Sequence, residues 1–312
     1  MKTLYVDGRR GVDIRLDGPA LRVLRPARAD GQFPLQRISR IVVLGCVRWQ
    51  PEAVNACLRE HKPVVELDAY GRFVRILFSP PPLQYGLARH IGELLEVRRF
   101  CERYERWLRS AEETEMSDAL ERLGFSCRRQ PEVAWQMVCA GQHRRWKMRV
   151  GAGYRLLTGL SMAQISSAFS VIGLPRNPYY WGKQEYRIVM DMVRLERWRQ
   201  AVMLEKVLEG GGWPGSRELI AAFETESEER ERRIEAWRCC ALFAMMGISS
   251  VDVWHPVLQK EFLARVREKV VGRVGNLGRI PFGGRETLRS SVRILRDHLK
   301  YDRRMHESYG AA

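Results

Sequence analysis

The chain has 312 residues, 45% of them hydrophobic, enough to bury one large core or two ordinary ones. Lys and Arg number 53 against 37 acidic residues, a formal net charge of +16. The seven cysteines are scattered and form no CxxC pair, which excludes a disulfide frame or a zinc ribbon. The charge favours a polyanionic partner, because each cation near a phosphate releases a counterion and arginine adds a bidentate fit. No apolar run reaches the roughly 18–20 residues that cross a bilayer, and residues 1–7 lack the apolar stretch of a signal peptide. A soluble cytoplasmic protein with no membrane partner is therefore expected.

Residues 1–79 are predicted to be β-rich. Leu4-Tyr5-Val6 runs into the turn Asp7-Gly8, and Val12, Ile14 and Leu16 alternate with polar residues until Asp17-Gly18-Pro19. Leu21, Val23 and Leu24 form the next short strand. Phe33-Pro34-Leu35 and Ile38 precede Ile41-Val42-Val43-Leu44-Gly45, a β-branched run suited to a buried strand. Residues 51–60 read as a short helix with Pro51 at its start. Two more strands follow at 63–67 and 73–77. Ser79-Pro80-Pro81-Pro82 cannot continue a ladder, so a Pro-rich linker is placed at 80–90.

From there the period is helical. Leu94, Leu95, Val97, Phe100, Tyr104, Trp107 and Leu108 form an apolar stripe over 91–111, and a second helix is expected over 113–123 after a break. Further helices are expected at 131–140, 154–172 and 186–208, the last stopped by Gly210-Gly211-Gly212. Ser216 is the expected cap of another. The charge block 224–233 reads as a solvated helix face, and 234–246 as core. Amphipathic basic helices are expected at 257–271 and 286–300, around a Gly-rich basic loop at 273–284. The fold class is thus α+β: a small, sandwich-like β domain at 1–79, then a larger all-helical domain at 91–312.

Two clusters pair cations with aromatic rings. Arg144, Arg145, Lys147 and Arg149 flank Trp146. Arg176, Lys183 and Arg187 surround Tyr179-Tyr180-Trp181 in the turn after Gly173. Cations supply phosphate contacts and ring faces can stack on unpaired bases, so these residues, with Arg273, Arg279 and Arg285 of the Gly-rich loop, are the candidate nucleic-acid contacts. Asp191 stands in an apolar helical run and needs a partner, a metal or water. Arg187 and Arg194 lie at helical spacing from it.

Leu4-Tyr5-Val6, Phe33-Pro34-Leu35 with Ile38, Ile41-Val42-Val43-Leu44-Gly45, and His61-Lys62-Pro63-Val64-Val65-Glu66-Leu67-Asp68 with Gly71 resemble the N-terminal domain of the CRISPR adaptation integrases, the Cas-one family. The resemblance extends more loosely through Gly173-Leu174-Pro175 to the helix holding Asp191. It implies dimerisation through the β domain and a helical domain that holds a divalent metal through a Glu, a His and a further acid. It also implies attack on a DNA phosphodiester and a Cas-two-like partner. Mn²⁺ or Mg²⁺ suits such a ligand set. The DNA partners are then a prespacer and the CRISPR repeat.

The carry-over of that site is partial. Where the family has its His ligand, Tyr180-Trp181-Gly182 has none, and Arg194 occupies the place of the second acid after Asp191. A guanidinium cannot ligate a cation. Glu113 or Glu115 is the nearest match to the upstream Glu, and His143 or His255 is the available imidazole. The expectation is a catalytic pair Glu115 and Asp191, with metal at Asp191 if the site is active and no cofactor if it is lost. Arg194 then replaces the cation electrostatically, holding Asp191 or a DNA phosphate. An active paralogue supplies the chemistry in that case. The rival readings are a fully active integrase and a non-enzymatic RNA-binding protein.

Overall fold

Apolar runs punctuated by Gly, Pro and Asp produce eight strands among the described residues of the first 78 in the computed structural model. The structure describes residues 2–9, 11–26, 29–78, 95–125, 130–146, 150–170, 184–210 and 215–246. Strands β1 (Lys2–Asp7), β5 (Ile38–Leu44), β7 (Val64–Leu67) and β8 (Phe73–Leu77) form one sheet in that order. Strands β4 (Gly31–Pro34), β3 (Ala20–Leu24), β2 (Val12–Asp17) and β6 (Val47–Trp49) form the other. In the first, β1, β5 and β7 run parallel, with Val42 opposite Tyr5 and Val65, and β8 returns antiparallel. Strand β6 was not expected from the sequence, because three residues are too short to show alternation.

The two sheets pack face to face. Leu4, Val6, Ile41, Val43 and Val64 meet Ile14, Leu21 and Val23, with Ala53, Ala56 and Cys57 of helix α1 (Pro51–Arg59) sealing the core. The other face of the first sheet is covered too. Val42, Leu44, Val65 and Leu67 pack on Leu156, Leu157 and Leu160 of helix α4 (Val150–Ser170) and Leu204 and Leu208 of α5 (Gln184–Glu209). Strand β5 is therefore a nearly unbroken buried run, as a sheet covered on both faces requires. Each fully buried aliphatic side chain there contributes about 1.5–3 kcal/mol.

The remaining helices are α2 (Arg98–Arg122), α3 (Pro131–Trp146), α6 (Ser216–Thr225) and α7 (Ser227–Met246). The fold class is the expected α+β arrangement of strand-rich and helical regions. The expected break near 112 is absent. No Gly or Pro lies within α2, and Leu108, Glu112, Glu115 and Ala119 keep one helical phase. Helix α3 runs past residue 140 and carries Arg144 and Arg145 in its last turn. Gly215, not Ser216, is the N-cap of α6.

The block 224–233 is not simply a solvated face. Arg230 has 0% exposure and donates to Glu196 Oε1 at 2.9 Å and to the Phe223 carbonyl at 2.9 Å. Its guanidinium lies 3.6 Å from the Phe223 ring centroid. Arg230 shares the helical phase of Ile234, Trp237 and Ala241, which are all core. Burial pushes the Glu196 carboxyl up and the Arg230 guanidinium down, the mark of an ion pair taken out of water. The predicted linker at 80–90, the helices at 257–271 and 286–300 and the loop at 273–284 lie outside the described residues. Among the described residues, no helix is long and apolar enough to cross a membrane.

Helix α4 touches the β7–β8 turn at two glycines. Gly71 has φ +86°, and a Cβ on Gly159 would sit 1.9 Å from the Gly71 carbonyl oxygen. The contact sets how closely the helices approach the sheet. Gly159→Ala is expected to destabilise the protein by about 1–3 kcal/mol through overpacking, read as a lower denaturation midpoint. An unchanged midpoint would show that the helix can move away without cost.

Candidate functional site between α2 and α5

Helix α2 presents acids to α5, and α5 presents arginines to α2. Glu112 and Glu115 share the helical phase of Tyr104 and Leu108 and point inward, and Glu105, 44% exposed, lies at the edge of that face. A buried carboxylate needs a counter-charge. Arg187 Nη2 lies 2.7 Å from Glu105 Oε1. Arg194 grips Glu112 with Nε at 2.8 Å from Oε1 and with Nη2 on Oε2. Arg197 adds a bond to Glu112 at 3.0 Å and one to Glu132 of α3 at 2.9 Å. Arg199 bridges Glu115 and Asp118, each at 2.8 Å. Glu112 is 1% exposed.

Asp191 stands in the middle of this ladder with a different partner. Its Oδ2 accepts the Tyr104 hydroxyl at 2.9 Å, and Arg187 Nε lies 3.6 Å away. Burial raises the Asp191 carboxyl, against the lowering effects of Tyr104, Arg187 and Arg194. Tyr104 is raised by burial, and by the neighbouring Asp191. Bonds from Arg187 and Arg197 hold Glu105 and Glu132, respectively, below the usual carboxylate range.

The donor set does not fit a divalent ion. Both oxygens of Glu112 face the Arg194 guanidinium, and Asp191 is engaged by Tyr104. Among the described residues no group of three or more His, Cys, Asp or Glu is placed to hold a metal. The expected holder of Asp191, Arg194, is bound to Glu112 instead. Glu115 lies in the same ladder but meets Arg199, and Glu113 is exposed. Glu112 was the acid missed by the sequence reading. Continuing the stripe from Tyr104 and Leu108 by four residues would have found it.

Residues 4–92 match the family model of the CRISPR associated protein Cas1. A Cas1 protein from Thermotoga maritima superposes with a TM-score of 0.59 at 11% identity, over 77% of this chain and 97% of that one. A casposase bound to integration product superposes with a TM-score of 0.54 at 14% identity, over 82% and 95%. This chain has the Cas1 fold. No curated protein matches it in sequence. At such identities the likeness to the two structures establishes the fold alone, so the site of this Cas1-fold chain rests on its own geometry.

The other candidate residues fall in three places. Arg187 is half-buried in the ladder. Arg145 pairs with Glu205 of α5, whose other oxygen accepts from Gln142 at 2.9 Å. Arg144 and His143 are exposed on the last turn of α3. Lys147, Arg149, Arg176, Tyr180, Trp181, Gly182, Lys183, His255, Arg273, Arg279 and Arg285 lie outside the described residues.

Two outcomes check the ladder. Arg194→Met is expected to destabilise the protein by about 1–3 kcal/mol, because it weakens the pairing of a buried carboxylate that Arg197 still contacts. Adding Glu112→Gln should recover part of that loss, giving a coupling energy of about 1 kcal/mol in a double-mutant cycle. Strict additivity would deny the interaction. The second check concerns Asp191. Its folded pKa is raised, so its contribution is full below the ordinary carboxylate range and is lost as pH rises through the raised value. Asp191→Asn should therefore be more stable than the parent at neutral pH, with the advantage shrinking toward about pH 4. A variant that is less stable at neutral pH would mean that Arg187 outweighs burial.

Proposed function

We propose that this protein serves CRISPR adaptation as a DNA-binding subunit of the Cas1 fold, with metal-dependent integrase chemistry weak or lost at its α2–α5 site. The observation that carries the reading is the Arg194 guanidinium seated on buried Glu112, at the place where the family resemblance expects an acid. A guanidinium supplies positive charge but cannot activate a hydroxyl by lowering its pKa. The charge of +16 favours DNA, and a solved relative of this fold is a casposase bound to integration product. The partners that follow are a prespacer, the CRISPR repeat, a second copy joined through the β domain, and a Cas-two-like protein. An active paralogue supplies the chemistry. The cytoplasm is the matching compartment.

The test is a strand-transfer assay with a short duplex bearing 3′ overhangs and a repeat-containing plasmid, read beside a gel shift. DNA binding is expected to be the same in Mn²⁺, Mg²⁺ or chelator, with no integration product. Metal-dependent integration that is lost in Glu112→Ala or Asp191→Ala would overturn the reading. Preferential binding of structured RNA at matched salt would favour the RNA-binding alternative.

A further inference from the structure

Helix α2 has two faces of opposite charge. Its inward face carries the acids that pair with α5. Its outward face carries Arg98, Arg99, Arg103, Arg106 and Arg109 in three turns, with Glu102 the acid among them. Arg98 is paired with Glu102 at 2.7 Å, and Arg109 helps hold Glu105 ionised. Arg99 and Arg106 are exposed and Arg103 is partly exposed. Among the described residues these three form no ion pair. They sit at i, i+4 and i+7, on one side of the helix, over roughly 10 Å of its axis.

Helix-end electrostatics do not account for the arginines that open this face. The first turn of α2 contains no acid, and Val97 supplies no side-chain cap. Cations at the positive end of a helix are unfavourable unless an anion lies nearby. The rings on this stretch do not offer a stacking platform, because Phe100 and Trp107 are partly buried against the helical core. The outward positions between the arginines, Glu102 and Ser110, carry no apolar wedge. The Arg99 guanidinium lies 4.6 Å from the Phe100 ring centroid, which leaves its N–H edge outward, and a row of such groups suits phosphates held at regular intervals, not unpaired bases.

We propose that Arg99, Arg103 and Arg106 form a contact surface for the phosphate backbone of duplex DNA, without sequence preference. The proposal rests on the DNA-binding reading and adds a surface separate from the α2–α5 ladder. It also assigns a role to arginines outside the two cation-aromatic clusters seen in the sequence.

The experiment uses the full chain and a fluorescent duplex titrated at several salt concentrations. Arg99→Gln, Arg103→Gln and Arg106→Gln are combined in one variant. A charge-matched control combines Arg37→Gln, Arg59→Gln and Arg72→Gln, which are exposed on the β domain. The α2 variant should melt like the parent and bind at least about tenfold more weakly at moderate salt. Its plot of log affinity against log salt should be shallower by about 2–3, as three lost duplex contacts require. The control should keep the parental slope. A parent that binds no DNA would sink the functional reading itself. A parent that binds while the α2 variant keeps its slope would sink the surface alone. So would equal losses in variant and control, or a loss confined to single strands.

Discussion

Buried carboxylates on α2 must find positive charge, and α5 supplies it. Glu112 is the deepest of them, and two arginines converge on it. An acid in that position without a counter-charge would cost several kcal/mol of desolvation. A metal ion with suitable ligands answers the same need in other proteins. Here a covalently attached cation answers it, and does so whether or not a divalent ion is in solution. The pairing also orients the two longest helices among the described residues against each other, with Tyr104 and Asp191 completing the row.

That arrangement bears on where the free positive charge of the protein lies. Arg187, Arg194, Arg197 and Arg199 look in the sequence like a basic helix face, yet each meets a carboxylate of α2 or α3. The charge excess of +16 is therefore not available on this surface. It has to reside on side chains without such partners, which in the described helical region include Arg144 and Arg99, Arg103 and Arg106 of α2. A cation count along a helix is thus a poor guide to a phosphate site until the facing helix is known.

Much of the fold could be read from local signals. The β-branched run at 41–44 ending in Gly45, Pro51 opening α1, and the glycine stop after α5 each depend on chemistry within a few residues. The errors arose where the deciding partner is remote. Glu112 and Arg194 are separated by 82 positions, so nothing near Glu112 in the sequence says which cation meets it. Arg230 looks solvated in a run of charges, but its phase matches Ile234 and Trp237, and Glu196 receives it across the core. Helical phase was available at both places. Residue type, which says that charged groups face water, was the weaker guide.

The first sheet joins the two halves of the molecule more tightly than a β domain on a linker would suggest. Its second face is a core shared with α4, α5 and α6, not a surface. Polar contacts follow the same seam: the Tyr5 hydroxyl donates to Glu224 at 2.6 Å, and Arg40, 6% exposed, reaches Thr3 at 3.1 Å and Glu231 at 3.4 Å. Tyr5 is raised well above its ordinary range, chiefly by burial, so it stays a hydroxyl donor at any physiological pH. Strand β1 and helices α6 and α7 are thereby tied together through neutral and ionic bonds around an apolar seam. Separating the sheet from the helices would expose that seam and strand its polar groups, so the two regions have reason to behave as one cooperative body.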